Sequence, residues 1–397
     1  MLKIMAVNAG SSSLKFKLLE MPNEKVITEG AFERIGLKDA IFSIAVNGTK
    51  KREVLPIKNH AIAVQKLLND LIQLKVVSSL DEISGVGHRI VQGGPYFKDS
   101  ALINSEVIEK IDELSLLGPL HNPAHLTGIR AFMSVLPNIP NVAVFDTAFH
   151  QTMNEEAYMY ALPYEWYEKY KIRKYGFHGT SHKYVSHKVA EVIGKDIKDL
   201  KIITCHLGNG ASLAAVKNGV CVDTSMGLTP LGGIPMGTRS GDIDPAVVEF
   251  ICNKEKLTAA EAVNMLNKKS GYLGISGISN DSRDLEAALE TGNHRAKLAL
   301  DLQYKRIADF IGSYYVYMGG VDVIVFTAGI GENSSRSRRE ILRRISVLGV
   351  EIDEEKNSKR EEIIEITTKN SKIKAFVIAT NEELMIARDT VRLGKLS

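Results

Sequence analysis

The sequence predicts an α/β protein of two domains built from a duplicated unit, and three observations predict it. The first is length. At 397 residues the chain exceeds the roughly 250 to 300 residues at which a single hydrophobic core stops growing, so two domains with a cleft between them are expected. The second is alternation: short apolar runs end in small-residue loops and give way to helical patterns, the rhythm of α/β folds, whose ligands sit at the carboxyl ends of strands. The third is an internal echo. Residues 3–7, the loop Asn8-Ala9-Gly10-Ser11-Ser12-Ser13 and residues 14–18 read as a hairpin. Residues 201–205, the loop His206-Leu207-Gly208-Asn209-Gly210 and residues 212–216 read as another in the same order: strand, small-residue loop, Ser-Leu, strand. Duplication of a half-length unit accounts for both and would set two hairpins facing each other across the cleft.

Each element has its own signal. Residues 14–18 alternate apolar and polar, as a half-buried strand does. Residues 60–74 carry Ile62, Leu67, Leu68, Leu71 and Ile72 largely on one side of a helix. The run 142–145 is a strand that delivers Asp146 at its end. Thr258-Ala259-Ala260-Glu261 has capping-box spacing and opens a helix to about Lys268. Residues 293–318 form a long helix stopped by Gly319-Gly320, followed by a strand at 321–326, a glycine loop at 329–333 and a helix from about Ser335. A last strand at 375–379 leads to Thr380 and Glu383, again at capping-box spacing, which places Glu382 on the first turn of a C-terminal helix.

Composition narrows the class. Apolar residues at 44% and charged residues at 24% are those of an ordinary globular protein. A formal charge of +3 with both signs interspersed does not point to nucleic acid, and the basic run 336–344 beside Glu340 reads as a solvated helix face. Cys205, Cys221 and Cys252 lack metal or redox spacing and read as free thiols in a reducing compartment. The apolar stretch 4–7 is too short for a signal-peptide core and no run approaches a membrane span, so a cytoplasmic protein without a membrane partner is expected.

Three glycine-rich loops follow strands, at 8–13, 206–210 and 329–333. Small residues free backbone amides to converge on phosphate oxygens, and a helix N-terminus adds a favourable dipole. One such loop is as readily a plain turn; three in one chain point to a nucleotide. Neither a Walker A loop nor a dinucleotide fingerprint is present, since Gly232 to Thr238 has the glycine spacing without the lysine and Gly208-Asn209-Gly210 does not continue as GxGxxG. Arg89 and Arg239 stand among glycines, from which a guanidinium can reach a ligand; either alone could equally be a structural ion pair. Together they suit a site gathering carboxylate and phosphoryl charge. Asp146 could be a turn cap and His178 a satisfied loop histidine. The pairs His178/His182 and His121/His125 lack a third zinc ligand, and no G-x-S-x-G elbow marks a hydrolase.

The motifs Asn8-Ala9-Gly10-Ser11-Ser12-Ser13-Leu14-Lys15, Gly176-Phe177-His178-Gly179-Thr180-Ser181-His182, His206 to Gly210, Gly237-Thr238-Arg239-Ser240-Gly241-Asp242 and Thr380-Asn381-Glu382-Glu383 stand in the order of a known family. By them the chain resembles the acetate and propionate kinase family, within the actin, hexokinase and Hsp70 superfamily. The resemblance implies a duplicated actin-like ATPase (ribonuclease H-like) fold, with one domain of residues 1–147 plus 382–397. The other, 148–381, would carry the nucleotide-binding and dimerisation surfaces of a homodimer. It implies transfer of the ATP γ-phosphoryl group to acetate, reversibly, giving acetyl phosphate and ADP. Asn8 and Glu382 would hold Mg²⁺, which Mn²⁺ could replace. Lys15, His206, Leu207, Gly208, Asn209 and Gly210 would bind ATP, with Asp281, Ser282, Arg283, Gly329, Ile330, Gly331, Glu332 and Asn333. Arg89 would bind the acetate carboxylate, Asp146 would be the acid or base position, and His178 and Arg239 would stabilise the transition state. Val91, Leu120, Phe177 and Pro230 would line the methyl pocket.

The chemistry bears on these roles. A carboxylic acid with a pKa of roughly 4 to 5 is already ionised at neutral pH and needs no base. Its difficulty is charge: an anion must approach a polyanion, and an arginine at the γ-phosphoryl group can contribute about 10³ to 10⁵ in rate. Arg89 and Arg239 meet that demand. Asp146, which in a sugar kinase would take a hydroxyl proton, is expected instead to orient Mg²⁺, an arginine or water. Direct in-line transfer is expected over a phosphoenzyme. Propionate or butyrate is the alternative acceptor, because one methylene in an apolar pocket discriminates by only about 1 to 3 kcal/mol. A non-catalytic actin-like ATP-binding protein that polymerises is the distant alternative.

Overall fold

The computed structural model describes residues 1–118 and 121–397, so the expectation for Leu120 lies outside the described residues. One unit comprises Met1–Phe149 with Asn381–Ser397 and the other His150–Thr380. The first unit holds β1 (Leu2–Gly10), β2 (Ser13–Met21), β3 (Lys25–Glu33), β4 (Ala40–Val46), β5 (Thr49–Leu55), β6 (Ile83–Ile90), β7 (Ala101–Leu102) and β8 (Asn141–Phe145). They form one sheet in the order β5-β4-β3-β2-β1-β6-β8-β7. The second unit holds β9 (Lys201–Leu207), β10 (Ala211–Lys217), β11 (Val220–Thr224), β12 (Val323–Thr327), β13 (Ile363–Glu365) and β14 (Lys374–Ile378), ordered β11-β10-β9-β12-β14-β13.

The echo in the sequence is a topological repeat. In the first unit β3, β2 and β1 form an antiparallel meander, and β6 and β8 add in parallel beside β1. In the second, β11, β10 and β9 make the meander, with β12 and β14 parallel beside β9. The two five-stranded cores have the same order and sense, and the fold is of the α/β, actin-like class.

The expected loops are shorter than the sequence patterns. Pairing in the first hairpin runs on through Asn8↔Lys15 and Ala9↔Leu14 to Gly10↔Ser13, leaving only Ser11 and Ser12 as the turn. Burial of Ala9 and Leu14 extends the ladder past the small residues. His206 and Leu207 likewise belong to β9. The expected loop 329–333 is a short helix, Ala328–Asn333. Its first amide, that of Ala328, donates 2.8 Å to the Glu332 carboxylate.

Helix His60–Gln73 forms as predicted, capped by Asn59, but Ile62 and Ile72 are exposed while Ala63 and Val64 are buried. Positions 63, 64, 67, 68 and 71 make the tighter stripe at 3.6 residues per turn. The capping box at Thr258 and Glu261 is present and opens helix Ala259–Lys268. The long helix His294–Met318 ends at Gly319 in the left-handed conformation. Glu382 begins the C-terminal helix Glu382–Gly394, but Asn381 caps it by accepting from the Leu384 amide, while the Thr380 hydroxyl pairs with Ser181 at 2.8 Å. The basic run lies on helix Ser335–Arg344, yet Arg338 is 1% exposed. It donates to the Gly331 and Glu332 carbonyls and to Asn357, so it tethers the end of the short helix and does not face water. No helix among the described residues is long and apolar enough to cross a membrane.

Candidate functional site

In the first unit the polar cluster stands where β6, β8 and the C-terminal helix meet. Arg89 is the penultimate residue of β6 and Asp146 directly follows β8, so Arg89 acts from a strand and not from the loop its glycines had implied. Those glycines serve packing. A Cβ on Gly87 would lie 2.3 Å from both Ile386 Cγ2 and Thr390 Oγ1; glycine lets the C-terminal helix lie against β6 and brings Glu382 to Arg89. The Arg89 Nε and Nη2 atoms donate to Asp146 at 3.0 and 2.7 Å, a forked contact. Glu382 Oε2 is 3.7 Å from Arg89 Nε.

Two carboxylates thus share one guanidinium. Burial alone would lower the Arg89 guanidinium, but Asp146 and then Glu382 outweigh it and hold it above its ordinary value. Glu382 moves the other way. Burial raises its carboxyl from 4.5 to about 7; Arg89 opposes the shift, and Asp146 and Glu383 reinforce it. Asp146 and Glu382 offer hard carboxylate oxygens of the kind a divalent cation such as Mg²⁺ takes, and Asn8 lies on β1. Lys15 lies exposed on β2 opposite Asn8, and Val91, just past β6, is buried. Among the described residues no group of three or more His, Cys, Asp or Glu side chains could hold a metal. His125 is buried, and burial followed by Arg89 pushes it down to about 3.

The second unit assembles two features. Phe177 is buried, and His178, with φ 57°, opens helix Gly179–Ile193. Its Nδ1 lies 2.8 Å from Ser212 Oγ, and its ring stacks on His206 at 4.1 Å between centroids. Arg239 sits in the loop after Gly237; its Nη1 donates to the Pro230 carbonyl at 3.3 Å, and burial lowers its pKa. The two meet at Gly210. A Cβ added there would lie 3.3 Å from Arg239 Nη1 and 3.6 Å from His178 Nε2.

Beside this lies a cavity of about 610 Å³. Gly208, Asn209, Asp281, Ser282, Arg283, Gly329, Ile330 and Asn333, distant in sequence and each expected at a nucleotide, line it together. Helix Ser282–Glu290, capped by Asp281, and helix Ser335–Arg344, capped by Ser334, both start at its wall; such N-termini favour anions. Gly237 holds the wall close, since its Cβ would fall 1.8 Å from Asn209 Oδ1. Six expected residues do not line the cavity: Lys15, which belongs to the first unit, and five of the second. His206 and Leu207 are buried in β9, Gly210 faces Arg239 and His178, and Gly331 packs on Phe326 and Cys205. The Glu332 carboxylate accepts from the Ala328 amide at 2.8 Å and the Thr380 amide at 3.2 Å. The sequence reading missed Asn280, Glu286, Ser334 and Arg360. The cap pattern at Ser334 was a usable signal; Arg360 carried none.

The model of the acetokinase family matches residues 3–388. An acetate kinase of Bacillus cytotoxicus (strain DSM 22905 / CIP 110041 / 391-98 / NVH 391-98) is 58% identical over 396 residues, covering 100% of both chains. That of Bacillus subtilis (strain 168) is 57% identical over 395 residues, again covering 100% of both. Among solved structures, Porphyromonas gingivalis acetate kinase superposes with a TM-score of 0.95 at 46% identity, covering 99% of this chain and 100% of that one. A propionate kinase from Francisella tularensis subsp. tularensis SCHU S4 superposes with a TM-score of 0.94 at 44% identity and the same coverage.

Proposed function

We infer that this chain, which belongs to the acetokinase family, is an acetate kinase that transfers the γ-phosphoryl group of ATP to acetate, reversibly, giving acetyl phosphate and ADP. The structural observation that carries the reading is the approach of Arg239 Nη1 and His178 Nε2 to the space beside Gly210, next to the strand-end turn that lines the cavity. Phosphoryl transfer needs hydrogen-bond donors fixed in advance where charge spreads over the γ-phosphoryl oxygens, and these two groups are such donors. The cavity takes ATP, with its phosphates toward the helix N-termini; the assignment of Lys15 to ATP rests on the family resemblance.

Arg89 binds the acetate carboxylate. Asp146 keeps that guanidinium in place through its forked contact and needs to remove no proton, because the acceptor is already an anion. Attack is in line and direct, without a phosphoenzyme. Val91 of the first unit, and Phe177 and Pro230 of the second, are the apolar residues assigned to the acceptor's methyl group. Asn8 and Glu382 would hold Mg²⁺, or Mn²⁺ in its stead, which when bound neutralises charge on the β- and γ-phosphates. The active form is a cytoplasmic homodimer joined through the second unit, without nucleic acid or membrane partners.

Propionate is the second reading for the acceptor, favoured by the likeness to the propionate kinase structure. Incubation with Mg-ATP, hydroxylamine and either acid decides both points, since hydroxylamine traps acyl phosphates. Acetyl hydroxamate forming faster than propionyl hydroxamate is the expected result. Absence of any hydroxamate from folded protein refutes the kinase reading, and faster propionate turnover refutes the acetate assignment.

A further inference from the structure

We propose that Thr204, His182 and Ser212 form a buried relay that fixes His178 as the neutral tautomer carrying its proton on Nε2. Ser212, which pairs with His206 across the β9–β10 ladder, is fully buried. Its Oγ lies 2.8 Å from His178 Nδ1 and 2.8 Å from His182 Nε2. A serine hydroxyl has a single hydrogen to donate. It could accept from both rings, but with these two nitrogens as its partners that would leave a buried hydrogen undonated at a cost of about 1 to 3 kcal/mol. It therefore donates to one nitrogen and accepts from the other, so the tautomer of His182 dictates that of His178.

Thr204 sets the direction. Its Oγ1 is 2.6 Å from His182 Nδ1 and 3.5 Å from the Ala214 carbonyl. Donation to Ala214 would be at the limit of a hydrogen bond, and a buried donor without a good acceptor costs about 1 to 3 kcal/mol. The Thr204 hydrogen consequently goes to His182 Nδ1. His182 then carries its proton on Nε2 and donates to Ser212, and Ser212 donates to His178 Nδ1. The proton of His178 is left on Nε2, the atom near Arg239 at Gly210. Burial, and after it His150 and His206, pushes His182 well below its ordinary value, so it stays neutral in this chain. A positive charge on His178 would face the Arg239 guanidinium at that same spot. The neutral Nε2 tautomer donates a hydrogen bond there without that repulsion.

Ser212, His182 and Thr204 are thus positioning residues. Their effect on turnover rests on His178 serving the phosphoryl group; the proton order does not. Long-range ¹H–¹⁵N correlation of the full-length protein labelled with ¹⁵N-histidine, in neutral buffer without substrate, reads that order directly. A bare Nδ1 and a protonated Nε2 at His178 are expected, with the His178→Gln spectrum assigning the signals. Protonation at Nδ1, alone or in the imidazolium, overturns the proposal whether or not the protein makes acetyl phosphate. Ser212→Ala should mix the two tautomers and lower kcat by about 10- to 100-fold, with both KM values within about twofold. An unchanged kcat in a folded variant overturns the positioning role, and if the variant does not fold the wild-type spectrum alone decides.

Discussion

Glu382→Gln should stabilise the first unit at neutral pH while abolishing turnover. Glu382 has a folded-state pKa of about 7 against an ordinary 4.5. Between those values the folded chain retains a proton that the unfolded chain has released, so wild-type stability is full below 4.5 and falls as pH rises through 7. The shift corresponds to a loss on the order of 3 kcal/mol, and with the side chain only 19% exposed solvent screens little of it. Glutamine has no such titration. Urea unfolding of both proteins in chelator, from below pH 4.5 to above pH 7, should show the variant gaining about that much relative to wild type. For a unit of this size, that is roughly 6 to 12 °C in Tm. Added Mg²⁺ should narrow the gap, because a cation held by Glu382 favours its ionised form. A difference independent of pH would mean that Glu382 titrates as a solvated carboxylate, and the account of two acids sharing Arg89 would be wrong.

Arg89→Gln leaves Asp146, 1% exposed, without its forked partner; unfolding should be easier by about 3 to 5 kcal/mol and acetate-dependent turnover should disappear. Gly237→Ala places a Cβ 1.8 Å from Asn209 Oδ1, displacing one wall of the cavity, so KM for ATP should rise well before KM for acetate does. Thr258→Ala removes the capping box at the end of its helix opposite the Asn267 contact with Thr238 and should cost about 1 kcal/mol with kcat unchanged, a control separating stability from catalysis.

Much of the fold could be read in the sequence because its signals were local. Thr258 with Glu261 and Gly319 after Met318 each specify a helix end by their own backbone chemistry, and the two Ser-Leu hairpins pointed to a repeat that the strand orders display. Where the reading failed, the deciding contact was distant in sequence. The glycines around Arg89 looked like loop residues until Ile386 and Thr390 were seen against Gly87. Arg338 looked solvated because nothing in its helix announces Asn357 or the carbonyls of residues 331 and 332. Asn8 looked like a loop residue because small side chains do not reveal that Ala9 and Leu14 would be buried around it. The cavity followed the same rule: residues within motifs were found, whereas Arg360, which reaches it from outside every motif, was not.

The most direct test of the phosphoryl-transfer account is the reverse reaction, ATP formation from ADP and acetyl phosphate with Mg²⁺, in wild type and Arg239→Ala. Wild type should make one ATP per acetyl phosphate consumed. The variant should lose about 10³ or more of the rate while still binding ADP. Hydrolysis of acetyl phosphate without ATP, or a variant as fast as wild type, would contradict it.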